Sequence, residues 1–193
     1  MSEKEHKKEA GKSSFSKVDT KKLFETIDLR PGEKFLDVGC GKGEYALAAA
    51  KYVRETGHLY AIDTWEDGIN ILKEQSHSAG ILNLDGFVGD ISKGIPIEDN
   101  IIDKCLMANV LHGLRDKETQ KATIDEIRRV LKSQGEFILI EWKKADGTHG
   151  PSTSIRLNPE EIETILIPMG FKTKIIEDVS EDFYLIVFIA DIK

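Results

Sequence analysis

The sequence predicts a three-layer α/β domain, a mostly parallel sheet with helices on both faces, and three observations carry that reading. Short apolar runs alternate with amphipathic stretches of ten or more residues, the pattern of successive βαβ units. One run, Phe35–Val38, breaks straight into glycines at alternate positions, Gly39, Gly41 and Gly43, and then into the helical stretch YALAAAKYV. The last two runs are separated only by DVSED, too short for a helical crossover, so they pair antiparallel.

Taken in order, residues 1–14 are polar, lack periodicity and are expected to be a disordered tail, leaving a single domain over 15–193. Val18–Ile27 reads as a short helix with Asp19 or Ser16 placed to cap it, followed by a turn through Pro31 and Gly32. Phe35–Val38 is a buried strand and Tyr45–Arg54 its helix. His58–Ile62 is the second strand and Glu66–Ala79 a second amphipathic helix. Gly86–Gly89 and Ile101–Ala108 are the third and fourth strands, Lys117–Leu131 a long helix and Glu136–Trp142 a fifth strand. A helix over Pro159–Pro168, ended by Gly170, precedes the sixth and seventh strands, Phe171–Glu177 and Phe183–Ala190.

Composition excludes several classes. The chain has 193 residues, 40% hydrophobic and 32% charged, enough for one domain with a substantial core. A net charge of −7 speaks against a nucleic-acid partner, because phosphate backbones want a basic surface. No apolar run reaches the roughly 18 residues of a membrane span, and MSEKEHKKEAGKSS does not read as a secretory signal. With only two cysteines, Cys40 and Cys105, a disulfide framework is not expected and a reducing cytoplasm is. The five histidines share no spacing with a cysteine pair, so no metal site is expected.

The glycine loop is the informative segment. A strand that turns through glycines into a helix leaves room for a ligand to approach the backbone. A dinucleotide fingerprint would read G-x-G-x-x-G; here the third glycine comes one residue early and Glu44 takes the final position. Asp37, two residues before the first glycine, would repel a pyrophosphate and suits a cationic ligand without phosphate.

Asp37-Val-Gly39-Cys40-Gly41-Lys-Gly43 resembles motif I of the class I S-adenosylmethionine-dependent methyltransferases, and the likeness runs from about Val18 to Lys193. Three further positions match in order: Asp63 at the end of the second strand, Gly89-Asp90-Ile91 after the third, and Asn109-Val-Leu-His112 after the fourth. The resemblance implies a Rossmann-like seven-stranded sheet with an antiparallel last strand and S-adenosyl-L-methionine as cofactor. It assigns the methionine end to Asp37 and the loop amides of Gly39, Cys40, Gly41 and Gly43, and the ribose to Asp63 with Trp65 beside it. Adenine falls to Asp90 and Ile91, and Asn109 stands where the methyl emerges. FLDVGCGKG, LYAID, MANVLHGL, EIRRVLKSQGEFILIEW and NPEEIETILIPMGF resemble the small-molecule ubiquinone/menaquinone-biosynthesis branch. The related arsenite-methylating branch uses several reactive cysteines, which two do not supply.

The implied reaction needs no covalent nucleophile, since a sulfonium methyl is already activated; positioning in line with the methyl–sulfur bond carries it. His112 is the candidate general base, with a structural histidine at a helix start as the other reading. Glu141 and Trp142 are placed to line an acceptor pocket. Lys143, Lys144 and Arg156 either grip an acidic acceptor or belong to a solvated loop, and His149 sits in a turn. Phe15–Phe24 either closes over the site as a lid or packs statically. Expected partners are a small-molecule acceptor in a monomer or homodimer. A non-catalytic S-adenosylmethionine-binding protein and an NAD-dependent oxidoreductase are the competing functions.

Overall fold

The computed structural model describes residues 13–145 and 150–191. The expected tail up to residue 12 and the turn at His149 lie outside the described residues. Seven strands form the centre: β1 (Lys34–Val38), β2 (His58–Asp63), β3 (Leu84–Val88), β4 (Ile102–Ala108), β5 (Leu131–Trp142), β6 (Phe171–Asp178) and β7 (Phe183–Ala190). They lie side by side in the order β3-β2-β1-β4-β5-β7-β6. β1 to β5 pair in parallel, and β7 runs antiparallel to both β5 and β6. The order reverses between β1 and β4, the switch point at which an open α/β sheet leaves a crevice beyond its carboxyl ends.

Five helices cover the sheet: α1 (Thr20–Thr26), α2 (Glu44–Val53), α3 (Glu66–Ser78), α4 (Lys117–Val130) and α5 (Pro159–Leu166). Alternation along each strand divides the core between them. Leu36, Val38, Cys105, Met107, Phe137 and Leu139 pack with Ile124 and Ile127 of α4 and Ile162 of α5. Phe35, Leu59, Leu106, Ile138 and Ile140 face the other way, against Phe24 of α1 and Ala49 and Val53 of α2. Ala46 of α2 and Ile69 and Leu72 of α3 close a third cluster over Ala61. Helix starts are set by side chains: Asp19 and Asp116 accept N–H bonds from Lys22 and Thr119 at 3.0 and 2.7 Å. Asn158 and Glu161 form a reciprocal capping box on α5.

Several element boundaries differ from the sequence reading, those of α1, β3, β5 and α5 by two residues or more at one end. Val18 precedes α1 rather than opening it, because a 3-10 turn at Phe15–Lys17 comes first. Ser14 is buried and its hydroxyl lies 2.8 Å from that of Tyr45, so packed structure begins before residue 15. β5 starts at Leu131, directly after α4, and its polar stretch 132–135 conceals the strand from a hydrophobicity pattern. A register shift follows there, where a Cβ on Gly135 would lie 2.9 Å from the Lys132 carbonyl and 3.1 Å from that of Ile102. α5 stops at Leu166 and tightens into a 3-10 turn at Ile167–Met169, since Pro168 has no N–H to continue the ladder.

The amino ends of the strands carry no comparable site. A polar cavity of about 300 Å³ there is lined by Asp28, Arg30, Asp103, Lys104, Lys132, Glu136 and Lys174. Lys104, buried in the central strand, meets Glu136 at 3.2 Å; Lys174 also pairs with Glu136, Lys132 with Asp103, and Arg30 with Asp28. Glu33 of the same lining lies 3.9 Å from Lys104, so four cations face four carboxylates and the cluster is compensated within the protein.

Candidate cofactor and acceptor site

The loop between β1 and α2 takes its shape from three residues with positive φ: Gly39 at 68°, Gly41 at 56° and Gly43 at 71°. Their reasons differ. A Cβ on Gly39 would lie 2.4 Å from Val110 Cγ2, and one on Gly43 2.4 Å from Leu72 Cδ1. A Cβ on Gly41 would meet nothing within 4 Å. Gly39 and Gly43 therefore serve internal packing, and Gly41 alone leaves open space against the backbone.

The loop amides are engaged inside the protein. Gly39 and Cys40 both donate to the Ile62 carbonyl, at 2.8 and 3.2 Å, and Gly43 donates to that of Cys40 at 2.8 Å. Gly41 donates to Asp63 Oδ2 at 2.8 Å. A phosphate cradle presents its N–H groups outward; these four point to protein oxygens. They are accordingly not free to grip the methionine end, as the sequence reading expected, and they tell equally against a pyrophosphate.

Carboxylates surround this loop. Asp63, at the end of β2, also accepts the Trp65 N–H through Oδ1 at 2.8 Å, which fixes the carboxylate plane. Each oxygen retains capacity for a further hydrogen bond. Trp65 precedes α3, whose first turn presses on the loop: a Cβ on Gly68 would lie 2.5 Å from both the Gly41 carbonyl and the Trp65 ring. Asp37 is only 1% exposed and accepts the Ala46 N–H at 3.2 Å. Burial pushes its carboxyl up to about 7, the Ala46 bond opposing and the Asp63 charge adding. Asp37 thus lies beneath the loop, where it orders the first turn of α2. Burial also raises the Cys40 thiol, which keeps it protonated, and both cysteines are unpaired.

After β3, Asp90 is drawn into its own turn. Oδ1 accepts the Ser92 N–H at 3.0 Å and its hydroxyl at 2.7 Å, and Oδ2 lies 3.3 Å from Lys93. The Ser92 hydroxyl is the main reason its carboxyl stays below the usual range. Ile91 packs against the edge of the core. Gly89 donates to the Asp63 carbonyl at 2.9 Å, which ties the end of β3 to the end of β2.

After β4, Asn109 takes a left-handed conformation, φ 58°, and donates its N–H to Ile140 at 2.8 Å. Its Oδ1 is buried without a hydrogen-bond partner. An orphaned acceptor of this kind calls for an outside donor or a positive group. Three residues on, His112 Nδ1 lies 2.6 Å from Glu141 Oε2, and its N–H donates to Oε1 at 3.3 Å.

Trp142, next in β5, packs on Phe183 at 4.4 Å between centroids and has Lys17 Nζ at 5.4 Å and Arg156 Cζ at 5.1 Å. Arg156 is 5% exposed and donates to the carbonyls of Pro151, Lys143 and Ala145. Lys143 pairs with Asp178 and Lys144 with Glu161, both at 2.7 Å. Of the three cations placed to grip an acidic acceptor or to sit in a solvated loop, Arg156 instead holds its own segment together, while Lys143 and Lys144 tie that segment to β6 and α5. Phe15 stacks edge-on against Tyr45 at 5.2 Å and Lys17 reaches Asp182 at 2.6 Å, so residues 14–17 run from α2 to the β6–β7 turn.

The structure thus gathers Gly41, Asp63 and Trp65 around one loop, with Asp37 beneath it, and sets Asn109 and His112 after the adjoining strand. The hydrogen bond between His112 and Glu141 is a contact at the candidate site that the sequence reading missed. A signal was present, since a carboxylate inside the buried run EFILIEW needs a partner. Among the described residues, no group of three or more His, Cys, Asp or Glu is placed to hold a metal ion. No helix among them is long and apolar enough to cross a membrane.

The geometry fits a cationic, phosphate-free ligand such as S-adenosylmethionine: open backbone at Gly41, engaged amides, carboxylates nearby and an unpaired Asn109 oxygen. Comparison with known proteins points the same way. A family model described as a methyltransferase domain matches residues 29–168. The demethylmenaquinone methyltransferase of Staphylococcus aureus is 33% identical over 125 residues, 65% of this chain and 49% of that protein. The chain spans about half the length of the curated relatives it matches. A SAM-dependent methyltransferase structure from Aquifex aeolicus superposes with a TM-score of 0.85 at 27% identity, covering 98% of this chain and 99% of that one. A SAM-dependent O-methyltransferase from Thermotoga maritima, 18% identical, shares the fold with a TM-score of 0.65, covering 91% and 65% of the two chains. With its loop, its strand order and a family match over most of its length, the chain belongs to the methyltransferase domain family.

Proposed function

We propose that this protein transfers the methyl group of S-adenosylmethionine to a small-molecule acceptor. The observation that carries the proposal is Asn109 Oδ1, a buried acceptor without a protein donor, at the end of the strand beside the glycine loop. When bound, S-adenosylmethionine supplies a methyl group on a positively charged sulfur. Asp63 holds the ribose hydroxyls through the lone pairs that Gly41 and Trp65 leave free, with the Trp65 ring at the edge of the site. Asp90 Oδ2 and Ile91 bound the adenine. Asn109 Oδ1 receives a donor or positive group from the methionine end, and Asp37 acts on the same end through its field from below. Gly41 admits the ligand to the backbone. His112 is the group placed to take a proton from the acceptor.

Residues 14–17 exclude water as a strap over this end of the sheet, held by Tyr45 and Asp182. The single domain takes in Ser14 as well as the segment that follows it, and the protein works as a monomer or homodimer in the cytoplasm, where free Cys40 and Cys105 stay reduced. The name of the Staphylococcus aureus relative makes quinol-type compounds the first acceptors to try.

Calorimetric titration with S-adenosylhomocysteine, followed by a methyl-acceptor screen, tests the proposal. Saturable binding and methyl release to one acceptor class are expected. Binding of NADH in place of S-adenosylhomocysteine would overturn it, and cofactor binding without transfer to any acceptor would leave a binding protein.

A further inference from the structure

Glu141 has 0% exposure, and its two oxygens meet the ring and the backbone N–H of a single residue, His112. No lysine or arginine pairs with it among the described residues. In β5 it faces Tyr184 of β7 in register, but the Tyr184 hydroxyl turns away to donate to the Leu157 carbonyl at 2.7 Å. A carboxylate buried with an imidazole as its only side-chain partner is costly unless it serves that imidazole. The two bonds fix both the turn that carries His112 and the plane of its ring. An ionised Glu141 can only accept, so the Nδ1 facing it at 2.6 Å carries the hydrogen, and in the neutral ring the lone pair then lies on Nε2. Nε2 has no protein partner among the described residues, although the His112 side chain is only 10% exposed.

We propose that Glu141 is a positioning residue that holds His112 with Nε2 free to accept a proton, and that the methyl acceptor is a neutral hydroxyl compound of the phenol or enol class. The second half rests on the methyl-transfer reading above. A phenol, ionising near ~10, needs its proton removed at neutral pH, whereas a thiol ionises near ~8.5 and an alkylamine, a cation below ~10.4, would bring a second positive charge beside the sulfonium. His112 Nε2 takes the hydroxyl proton as the oxygen pair forms the new O–C bond. The C–S bonding pair stays on sulfur, leaving a neutral thioether, and the imidazolium later gives its proton to water. In that step the uncompensated Glu141 carboxylate acquires a full positive partner, so the charge that is costly at rest favours the transition state.

The first test is the histidine tautomer, read from ¹⁵N–¹H spectra at pH 8 with S-adenosylhomocysteine bound, His112 being assigned from the signals lost in His112→Asn. Nδ1–H is expected in the native protein and loss of that preference in Glu141→Gln. An Nε2–H tautomer in the native protein, or the same tautomer in both, would overturn the positioning role. The second test compares transfer to phenol with transfer to 4-nitrophenol, which is ionised at pH 8. Glu141→Gln should lower kcat on phenol by roughly 100-fold and much less on 4-nitrophenol, with S-adenosylhomocysteine affinity unchanged. Equal losses on both would assign Glu141 a merely structural role and reject the inference. Should Glu141→Gln not fold, Glu141→Asp, which keeps the charge but withdraws it by one methylene, must show the same difference between the two phenols. Transfer only to thiols or amines would reject the acceptor class, and failure to bind S-adenosylhomocysteine would reject the methyl-transfer reading while the native tautomer still decides the role of Glu141.

Discussion

Asp63 Oδ2 holds the Gly41 N–H at 2.8 Å, so the carboxylate at the end of β2 shapes the one glycine of the loop that is open to a ligand. Removing it has two effects at once. Asp63→Ala withdraws the acceptor for Gly41 and Trp65 and the expected seat of the ribose hydroxyls. Hydrogen bonds to a charged group contribute about 1.5–3 kcal/mol each, so losing the ribose pair should weaken S-adenosylhomocysteine binding by at least roughly 100-fold. Asp63→Asn, which keeps one acceptor oxygen, should fall between. Titration calorimetry on the three proteins measures this, and near-native affinity in Asp63→Ala would remove the ribose role.

Gly39 and Gly41 should fail differently. Gly39→Ala drives a Cβ to 2.4 Å from Val110, so backbone strain of ~1–2 kcal/mol is joined by overpacking of ~1–3 kcal/mol. Gly41→Ala suffers the backbone strain alone, since its Cβ meets no protein atom within 4 Å. Thermal melts should therefore rank Gly39→Ala well below Gly41→Ala. S-adenosylhomocysteine affinity measured on the folded Gly41→Ala protein should still drop, because its methyl group stands where the ligand comes. Native affinity there would mean that the ligand does not approach Gly41.

Most of the architecture was legible in the residues because each strand and helix follows a periodicity that its neighbours reinforce. β5 was read short because residues 132–135 are polar and fall in the register shift between the Ile102–Leu131 and Lys104–Glu136 pairs, where burial exerts no pattern. The site was legible where one residue type meets one geometric demand: glycines at positive φ, Asp63 at a strand end. It was not legible where partners are set by tertiary contact. Nothing in the sequence ties Glu141 to a histidine 29 positions away. Nothing local tells that Arg156 turns back on the carbonyls of its own segment, or that the loop amides point to Ile62 and Asp63 instead of outward.

Asp37 predicts a pH dependence with a definite sign. Its carboxyl titrates at about 7 in the fold and near 3.8 when unfolded. Between those values the native state holds the extra proton, so its contribution to stability is complete below about 4 and is lost as pH rises to about 7. The depressed carboxyls, Asp90, Glu126 and Glu161 among them, act oppositely and only as pH falls through their own lower range. Melting temperature between pH 5 and 7 should thus decline in the native protein and decline less in Asp37→Asn. The sulfonium cation of S-adenosylmethionine favours ionised Asp37, so binding S-adenosylmethionine at pH 6 should release protons. Calorimetry in buffers of different ionisation enthalpy reads that release, and no difference between buffers would separate Asp37 from the ligand.

Arg156 links the acceptor side to the fold in a way that separates two functions of the protein. Its guanidinium donates to the carbonyls of Pro151, Lys143 and Ala145 and lies 5.1 Å from the Trp142 ring. Trp142 directly follows Glu141, and it also meets Lys17 of the strap and Phe183 of β7. Arg156→Ala leaves three carbonyls without their donor and frees one face of the indole, loosening the segment after β5. The proposed cofactor residues lie at the ends of β1, β2, β3 and β4, whereas Arg156 packs on Trp142 at the end of β5. Arg156→Ala should therefore raise the KM for the acceptor while S-adenosylhomocysteine affinity holds. Arg156→Lys should not rescue it, because one ammonium cannot reproduce a planar fork that bonds three carbonyls while stacking on a ring. Equal loss of cofactor and acceptor binding in Arg156→Ala would show that the two halves of the site are not separable at Trp142.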